Sequence, residues 1–250
     1  MIVRLAGDWS GAMTTHHGSL NSFCWMDLKT HDVPGTAAFF SAVLGWRFAV
    51  DEDDWRRATK ITAGGYRIGG VSDLANPVYP LGTPPHIAFY IAVDDVERRT
   101  EAAVANGAQL IVAPFSAGDQ GRLATLIDPV GAAFSLWQAH EFSGWAFPPD
   151  LTFTPQSMVL ACDQPDQARL FYRDTLGTDL GFAEFVPARG PGAPVSRWEL
   201  VVGVDDPESV AALARDHGQE PATGSTYADR SSVRLSSPER LTFQARALGR

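Results

Sequence analysis

A pattern that occurs four times along the chain constrains the fold more than any other feature of the sequence. Each copy has an apolar run, an acidic turn that carries aspartate, a helix with one apolar stripe, and then a glycine. The apolar runs that begin the copies span residues 23–28, 87–93, 158–161 and 198–204. Four copies of a strand followed by a helix predict four related modules, arranged as two tandem halves.

The residues at the ends of the predicted helices support this repeat. Aspartate at the strand-to-helix turn accepts hydrogen bonds from the free N–H groups of the first helical turn. Proline near a helix start occupies a position where no N–H is needed, and glycine directly after a helix adopts the left-handed conformation that ends it. The helices are therefore expected over residues 35–44 and 96–106 and, in the second half, up to residues 176 and 217.

Strand-like stretches follow the helices and define the modules as βαβββ units. In the second module they span residues 110–112, 122–127 and 133–138. In the first module they span residues 59–61 and 66–68 and include Val71, with glycine pairs that suggest hairpins with bulges. The third module has about half as many residues after its helix as the first, so it is expected to have lost at least one strand. The predicted division is a tail over 1–21, a first domain over 22–139, a linker over 140–155 and a second domain over 156–245.

Composition and charge exclude several classes of protein. The formal net charge of −9 and the pI of about 5.1 argue against a nucleic-acid partner. The two cysteines, Cys24 and Cys162, both lie in apolar runs, which predicts buried reduced thiols rather than a disulfide or a zinc site. The chain starts without the pattern of a signal peptide and contains no run of about 18 apolar residues, so a cytoplasmic location without membrane contact is expected.

Three segments carry a resemblance to a known family: DLKTHDVPGTAAFFSAVLGW, AFYIAVDDVERRTEAAVANGAQLIVAP and GRLATLIDPVGAAFSLWQ. They resemble the vicinal-oxygen-chelate superfamily of glyoxalases, bleomycin-resistance proteins and extradiol dioxygenases, in its tandem two-domain actinobacterial type. The resemblance runs from about Ser22 to Ala245 and is stronger in the first half. It implies an α+β fold in which four βαβββ-type modules, the third shortened, form two cup-shaped mixed sheets in tandem.

The resemblance also implies a divalent metal ion, held by His, Gln or Glu on the first and last strands of the modules, that acts as a Lewis acid. In the first half the corresponding positions are Trp25, Ala88 and Ser135. In the second half they are Ser157, Glu199 and Thr242. Because these residues supply a single carboxylate, no metal cofactor is expected. A shift of the register by two residues would instead bring Asp27 and His86 into the pocket, and a metal site with a third ligand is the alternative.

Strand alternation identifies the candidate pocket residues. Trp25 and Asp27 share one face of the first strand, opposite Cys24, Met26 and Leu28. The candidate catalytic residues are Asp27, His86 and Tyr90. The candidate ligand-binding residues are Trp25, Ala88, Ser135, Trp137 and Trp46. Each also has a structural interpretation, because inward aromatic side chains can simply fill a core, His86 can belong to a loop, and Asp27 can make a structural hydrogen bond.

These observations favour a small-molecule-binding protein for an aromatic natural product or metabolite, acting in sequestration and resistance or in metal-independent tailoring. Aromatic walls formed by Trp25, Tyr90 and Trp137 would suit a planar ligand. The alternative is a metal-dependent lyase, isomerase or dioxygenase of the same superfamily, and a third possibility is a protein-interaction module without a ligand. Glu199 is expected to pair with Arg173 or Arg234 in the second half, and both a monomer and a homodimer are open.

Overall fold

The computed structural model describes residues 18–52, 57–188, 196–221 and 232–249, which form two mixed β-sheets and four α-helices. This architecture confirms the α+β fold that the family resemblance implies. None of the helices in the described residues is long and apolar enough to cross a membrane.

The first half contains two complete βαβββ modules. The first module consists of β1 (Phe23–Thr30), α1 (Val33–Leu44), β2 (Arg47–Val50), β3 (Thr59–Ala63) and β4 (Tyr66–Asp73). The second consists of β5 (His86–Ala92), α2 (Val96–Ala105), β6 (Gln109–Ser116), β7 (Gly121–Ile127) and β8 (Ala133–Ala139). Their strands form one eight-stranded sheet in the order β2-β3-β4-β1-β5-β8-β7-β6, so the two modules meet where β1 pairs with β5.

The second half is built on the same plan with fewer strands in its described residues. It consists of β9 (Thr154–Cys162), α3 (Pro165–Leu176), β10 (Ala183–Pro187), β11 (Arg197–Val204), α4 (Pro207–Asp216), β12 (Ser232–Ser236) and β13 (Thr242–Ala247). The sheet order is β10-β9-β11-β13-β12. Between α3 and β11 the described residues contain one strand, β10, in agreement with the predicted shortening of the third module.

The helix ends largely follow the predicted chemistry. Asp32, Asp95 and Asp206 each accept hydrogen bonds from N–H groups in the first turn of α1, α2 and α4. Glycines with positive φ, Gly45 and Gly177, end α1 and α3. The third module differs, because the residue before α3 is Gln164 and its side chain makes no capping hydrogen bond.

The strands of the first module differ from the prediction at the glycine pair before Val71. The chain continues through Gly69 and Gly70 as a single strand, β4, and a bulge lies beside them: Ile61 pairs with Gly69 and Thr62 with Arg67, which leaves Ile68 as the extra residue. A Cβ atom at Gly70 would lie 2.7 Å from Oδ1 of Asp27. Glycine is therefore needed here for the close approach of a neighbouring side chain, and not for a turn.

The two sheets pack together through the faces that carry the helices. Helix α1 contacts α4, and α2 contacts α3. One buried hydrophobic cluster spans both halves, and aromatic rings meet across the boundary in the pairs Phe23–Trp198, Phe40–Phe243 and Phe134–Phe171. The residues between the sheets follow the same packing, because Trp145 and Phe147 are buried in this cluster. Both cysteines are free and buried, as predicted.

A buried polar network also joins the halves. The Tyr172 hydroxyl of α3 donates to Oδ2 of Asp128 at 2.9 Å and accepts from the indole Nε1 of Trp198 at 2.9 Å. Oδ1 of Asp128 accepts from the backbone N–H groups of Val130 and Ala132. Burial raises the pKa of Asp128, although the backbone and Tyr172 hydrogen bonds act in the opposite direction.

The pH dependence of stability tests this network. Because the folded-state pKa of Asp128 lies above its ordinary value, its ionisation reduces stability as pH rises from about 4 through the folded pKa. Asp128→Asn removes this titration. We expect the free energy of unfolding of the wild type, relative to that of the variant, to fall between pH 4 and pH 7 in chemical denaturation. A constant difference over this interval would show that Asp128 does not titrate in this way.

Candidate functional site

The eight-stranded sheet has one face that α1 and α2 leave uncovered, which we call the open face. Strand pairing places Trp25 opposite Tyr90, Asp27 opposite Ala88, and Lys29 opposite His86. Paired residues point to the same side of a sheet. Parallel pairing of β5 with β8 adds Ser135 beside Tyr90, and Trp137 beside Ala92. The structure therefore brings together on one face every predicted site residue of the first half except Trp46.

One end of the open face is aromatic. The rings of Trp25 and Phe142 pack edge to face with centroids 4.7 Å apart, and Tyr90 and Trp137 meet edge to face at 6.3 Å. The indole Nε1 of Trp137 donates to the backbone oxygen of Phe142 at 2.9 Å. Phe142 follows β8 and was not predicted as a site residue. It fixes the orientation of both tryptophans at this end.

An apolar wall continues from the aromatic end toward the edge of the sheet. Val112 and Phe115 on β6 pair with Thr125 and Leu123 on β7, which in turn pair with Ser135 and Trp137. Two shifts in the β6 register place Val112 and Phe115 on the same face although they are three positions apart. Their side chains are large and apolar, yet 40% and 45% exposed. An apolar surface of this kind beside aromatic rings is available to a ligand.

A bulge in β1 changes the position of Cys24. The prediction placed Cys24 with Met26 and Leu28 on the helix-covered face, but the register of β1 against β5 shifts between Phe23 and Trp25. Cys24 consequently packs with Trp137 and Ala92, against Trp25 and Tyr90. Complete burial raises the pKa of its thiol well above the usual range, so Cys24 is an apolar packing residue at neutral pH.

The other end of the open face is polar and centres on Lys29. The Lys29 ammonium donates to the carboxylate of Asp27, to Oγ of Ser72 at 3.0 Å and to the hydroxyl of Tyr79 at 2.9 Å. The Ser72 hydroxyl donates in turn to Oδ2 of Asp27 at 2.5 Å. The side chains of Lys29 and Asp27 are 11% and 13% exposed. The charges are thus mutually compensated while part of each group reaches the open face.

The neighbouring charges and burial determine the protonation of this end. Burial lowers the pKa of Lys29, but Asp27, with smaller contributions from Tyr90 and Tyr79, outweighs it, and the net pKa of the ammonium is raised. Burial raises the pKa of Tyr90 to about 12. At neutral pH Lys29 is therefore a cation and Tyr90 a neutral hydrogen-bond donor.

Two of the candidate catalytic residues, Asp27 and His86, are bound to other groups and not to each other. Asp27 is bound by Lys29 and Ser72, whereas Nδ1 of His86 donates to the backbone oxygen of Pro84 at 2.8 Å. Burial lowers the pKa of His86, so the ring is neutral at pH 7 with its proton on Nδ1. His86 lies opposite Lys29 in the register and presents an unprotonated Nε2 as an acceptor.

Trp46 lies elsewhere in the molecule. Its side chain is 1% exposed, stacks on Phe40 with a centroid distance of 5.1 Å, and donates from Nε1 to the backbone oxygen of Phe153 at 2.7 Å. It belongs to the core that joins the halves and not to the open face.

The corresponding face of the second half is occupied by ion pairs. Glu199 is held by Arg234 through both Nε and Nη2, which is one of the two partners expected from the sequence. Glu184 accepts hydrogen bonds from Ser157 and Arg246. The carboxylates on this face are therefore engaged with arginine.

The donor set does not fit a metal ion of the kind the family resemblance implies. The register confirms that Ala88 and Ser135 lie on the open face with Trp25, and none of the three is a metal ligand of the expected type. The carboxylate of Asp27 is bound to an ammonium group, and Glu199 to a guanidinium group. Within the part of the chain that the structure describes, no three His, Cys, Asp or Glu residues are grouped so that they could hold a metal.

Three residues of the polar end were missed in the sequence. Lys29 could have been found, because it continues the alternation of Trp25 and Asp27 and a lysine in a buried strand requires a partner. Ser72 and Tyr79 carried no such signal. Ser72 is reached through the parallel pairing of β4 with β1, and Tyr79 lies in the loop between β4 and β5.

Comparison with known proteins agrees with this geometry. Residues 25–137 match the family model of the glyoxalase-like domain. The protein named "Putative glyoxylase CFP32" from Mycobacterium tuberculosis is 29% identical over 217 residues, which cover 78% of this chain and 81% of the relative. Anthracycline biosynthesis protein DnrV from Streptomyces peucetius is 29% identical over 167 residues, or 61% of this chain and 59% of the relative.

The solved structures extend the similarity of fold to both halves. The Mn(II)-bound glyoxalase from Novosphingobium aromaticivorans superimposes with a TM-score of 0.59 at 14% identity, covering 91% of this chain and 82% of the other. At this level of identity the match establishes the fold and not the chemistry. Residues 25–137 are thus similar in sequence to the glyoxalase-like domain, and the chain as a whole shares its fold with this glyoxalase structure.

Proposed function

We propose that the open face of the first half binds a planar aromatic small molecule, in sequestration or in metal-independent tailoring. The observation that carries this proposal is the continuity of an aromatic end, an exposed apolar wall and a compensated polar end on one sheet face. Binding sites for small molecules commonly combine mostly apolar walls with a few converging polar groups. The name of the Streptomyces relative, an anthracycline biosynthesis protein, is in keeping with a natural-product ligand.

In this proposal the residues have distinct roles. Trp25, Tyr90 and Trp137 contact the ring system, and Phe115 covers its outer edge. Ala88 and Ser135 line the face between the two ends, where their small side chains leave room for a flat ligand. In the same proposal the protein acts in the cytoplasm, as a monomer or as a homodimer.

Replacing the exposed wall residue Phe115 by serine tests the proposal without disturbing the core. The probe is 2-(aminomethyl)anthracene, an amine with a flat aromatic ring system whose own fluorescence reports binding. Because covering a half-exposed phenylalanine contributes about 1 to 1.5 kcal/mol, we expect Phe115→Ser to weaken binding roughly tenfold. Leu170→Ser is the matched control, since Leu170 is also 45% exposed but lies on α3.

Two further variants come from the aromatic end. Tyr90→Ala and Trp137→Ala are both expected to weaken binding of the anthracene probe strongly, with circular dichroism checking that the fold is kept. Absence of saturable binding to the wild type, or equal affinity for Phe115→Ser and Leu170→Ser, would count against the open face as a ligand site.

A further inference from the structure

The polar end of the open face contains hydrogen-bond donors that the protein itself does not use. The Tyr79 hydroxyl accepts from Lys29, and the Ser72 hydroxyl donates to Asp27. Within the described ranges, no acceptor is recorded for the O–H of Tyr79 or of Tyr90. Both hydroxyls are therefore free to donate to a ligand.

The ammonium of Lys29 strengthens one of these donors. A hydroxyl that accepts a hydrogen bond from a cation becomes a better donor through its own hydrogen. The position of this hydroxyl is also defined, because Nζ of Lys29 lies 5.1 Å from the centre of the Tyr79 ring and the loop is held by the turn from Tyr79 N to Asn76 O. Lys29 thus acts through Tyr79 as a positioning residue.

The charges around this end favour a neutral acceptor. Lys29 and Asp27 compensate each other, and His86 opposite them is neutral. Tyr90 lies on the same face of the sheet as Asp27 and Lys29. Two O–H donors thus lie on the open face without a surplus of positive charge beside them, which matches a polarised carbonyl oxygen better than a carboxylate or a phosphate.

We propose that the ligand of the open face is a quinone-type aromatic, whose ring carbonyl oxygen accepts hydrogen bonds from Tyr79 and Tyr90 while its ring system lies against the aromatic end. This rests on the proposed function and adds a selectivity to it. The wall and the aromatic end recognise the flat shape, and the Lys29–Tyr79 pair recognises the oxygen.

The test compares two probes that differ only in ring oxygens, 2-(aminomethyl)-9,10-anthraquinone and 2-(aminomethyl)anthracene, by calorimetry. Both probes carry the same cationic aminomethyl group. Repulsion from the Lys29 ammonium keeps this group away from the polar end, so the ring system is the part that binds there. Since a net hydrogen bond contributes about 0.5 to 1.5 kcal/mol, we expect the wild type to bind the quinone about tenfold tighter. Tyr79→Phe is expected to remove most of this preference by weakening the quinone alone.

Matched variants separate selectivity from folding. Tyr66→Phe removes a hydroxyl from an exposed tyrosine on β4 and should keep the full preference. Lys29→Met is combined with Asp27→Asn, because a carboxylate left without its cation would destabilise the fold. This double variant should lose most of the quinone preference, measured as the ratio of its affinities for the two probes.

The outcomes distinguish the two proposals. Equal affinity of the wild type for both probes, or an unchanged preference in Tyr79→Phe, would overturn the quinone assignment and leave the aromatic site standing. Failure of the wild type to bind either probe would remove the site itself.

Discussion

Trp46→Ala is expected to lower the free energy of unfolding by about 4 kcal/mol, the largest effect of any single change considered for this protein. The side chain is completely enclosed, stacks on Phe40, and donates its indole N–H to the backbone oxygen of Phe153. Truncation would leave a cavity between the halves and an unsatisfied carbonyl group. Urea denaturation followed by circular dichroism measures the change.

A conservative variant at the same position separates the two contributions. Trp46→Phe retains an aromatic ring beside Phe40 and loses the hydrogen bond to Phe153, so we expect a smaller loss of about 1 to 2 kcal/mol. Neither variant should change the ratio of affinities for the two anthracene-based probes, because Trp46 lies in the core between the halves. A selective loss of probe binding with unchanged stability would return Trp46 to the ligand-binding residues.

Gly144→Ala should cost about 3 kcal/mol of stability and should also weaken ligand binding. The φ angle at Gly144 is +97°, and a Cβ atom there would lie 2.3 Å from the backbone oxygen of Cys24. That oxygen accepts a hydrogen bond from the N–H of Trp145 at 2.8 Å. The two backbone segments therefore cannot move apart without breaking this hydrogen bond. Left-handed strain of about 1 to 2 kcal/mol adds to the steric cost.

The effect on binding follows from the position of the segment. Gly144 lies two residues after Phe142, whose ring packs against Trp25 and whose carbonyl orients Trp137. A displaced backbone would open the aromatic end. Gly82→Ala is the matched control, because Gly82 has φ +82° but nothing within 4 Å of the added Cβ atom. It should cost only about 1 kcal/mol and leave binding of the anthracene probe intact.

Much of the fold was visible in the sequence because its signals are local. The aspartate caps, the terminal glycines and the apolar runs act within a few residues, and they predicted the four helices and the strand before each of them. Strand alternation likewise placed Trp25 and Asp27 on one face, together with Tyr90 and Trp137 on the neighbouring strands. These predictions needed no knowledge of long-range contacts.

The missed features depend on contacts between distant segments. The bulge that turns Cys24 toward Trp137 exists only in the register of β1 against β5. The buried position of Trp46 depends on a hydrogen bond to Phe153, which is more than a hundred residues away in the sequence. Tyr79 likewise contacts Lys29 from a loop that is distant in the sequence. A tryptophan next to a helix end can equally line a pocket or join two halves, and its sequence neighbours do not decide between them.

The helix-covered faces of the two sheets bury one another, and this has a consequence for how such a chain can diversify. Either half alone would expose rings such as Phe40, Phe134 and Phe243, so a substitution in these buried faces must fit the partner half as well as its own. The open face lies on the opposite side of its sheet and takes no part in the packing between the two halves. Substitutions of exposed residues on that face, such as Val112 and Phe115, are expected to leave the packing between the halves intact, so this part of the surface can change while the buried faces are held constant.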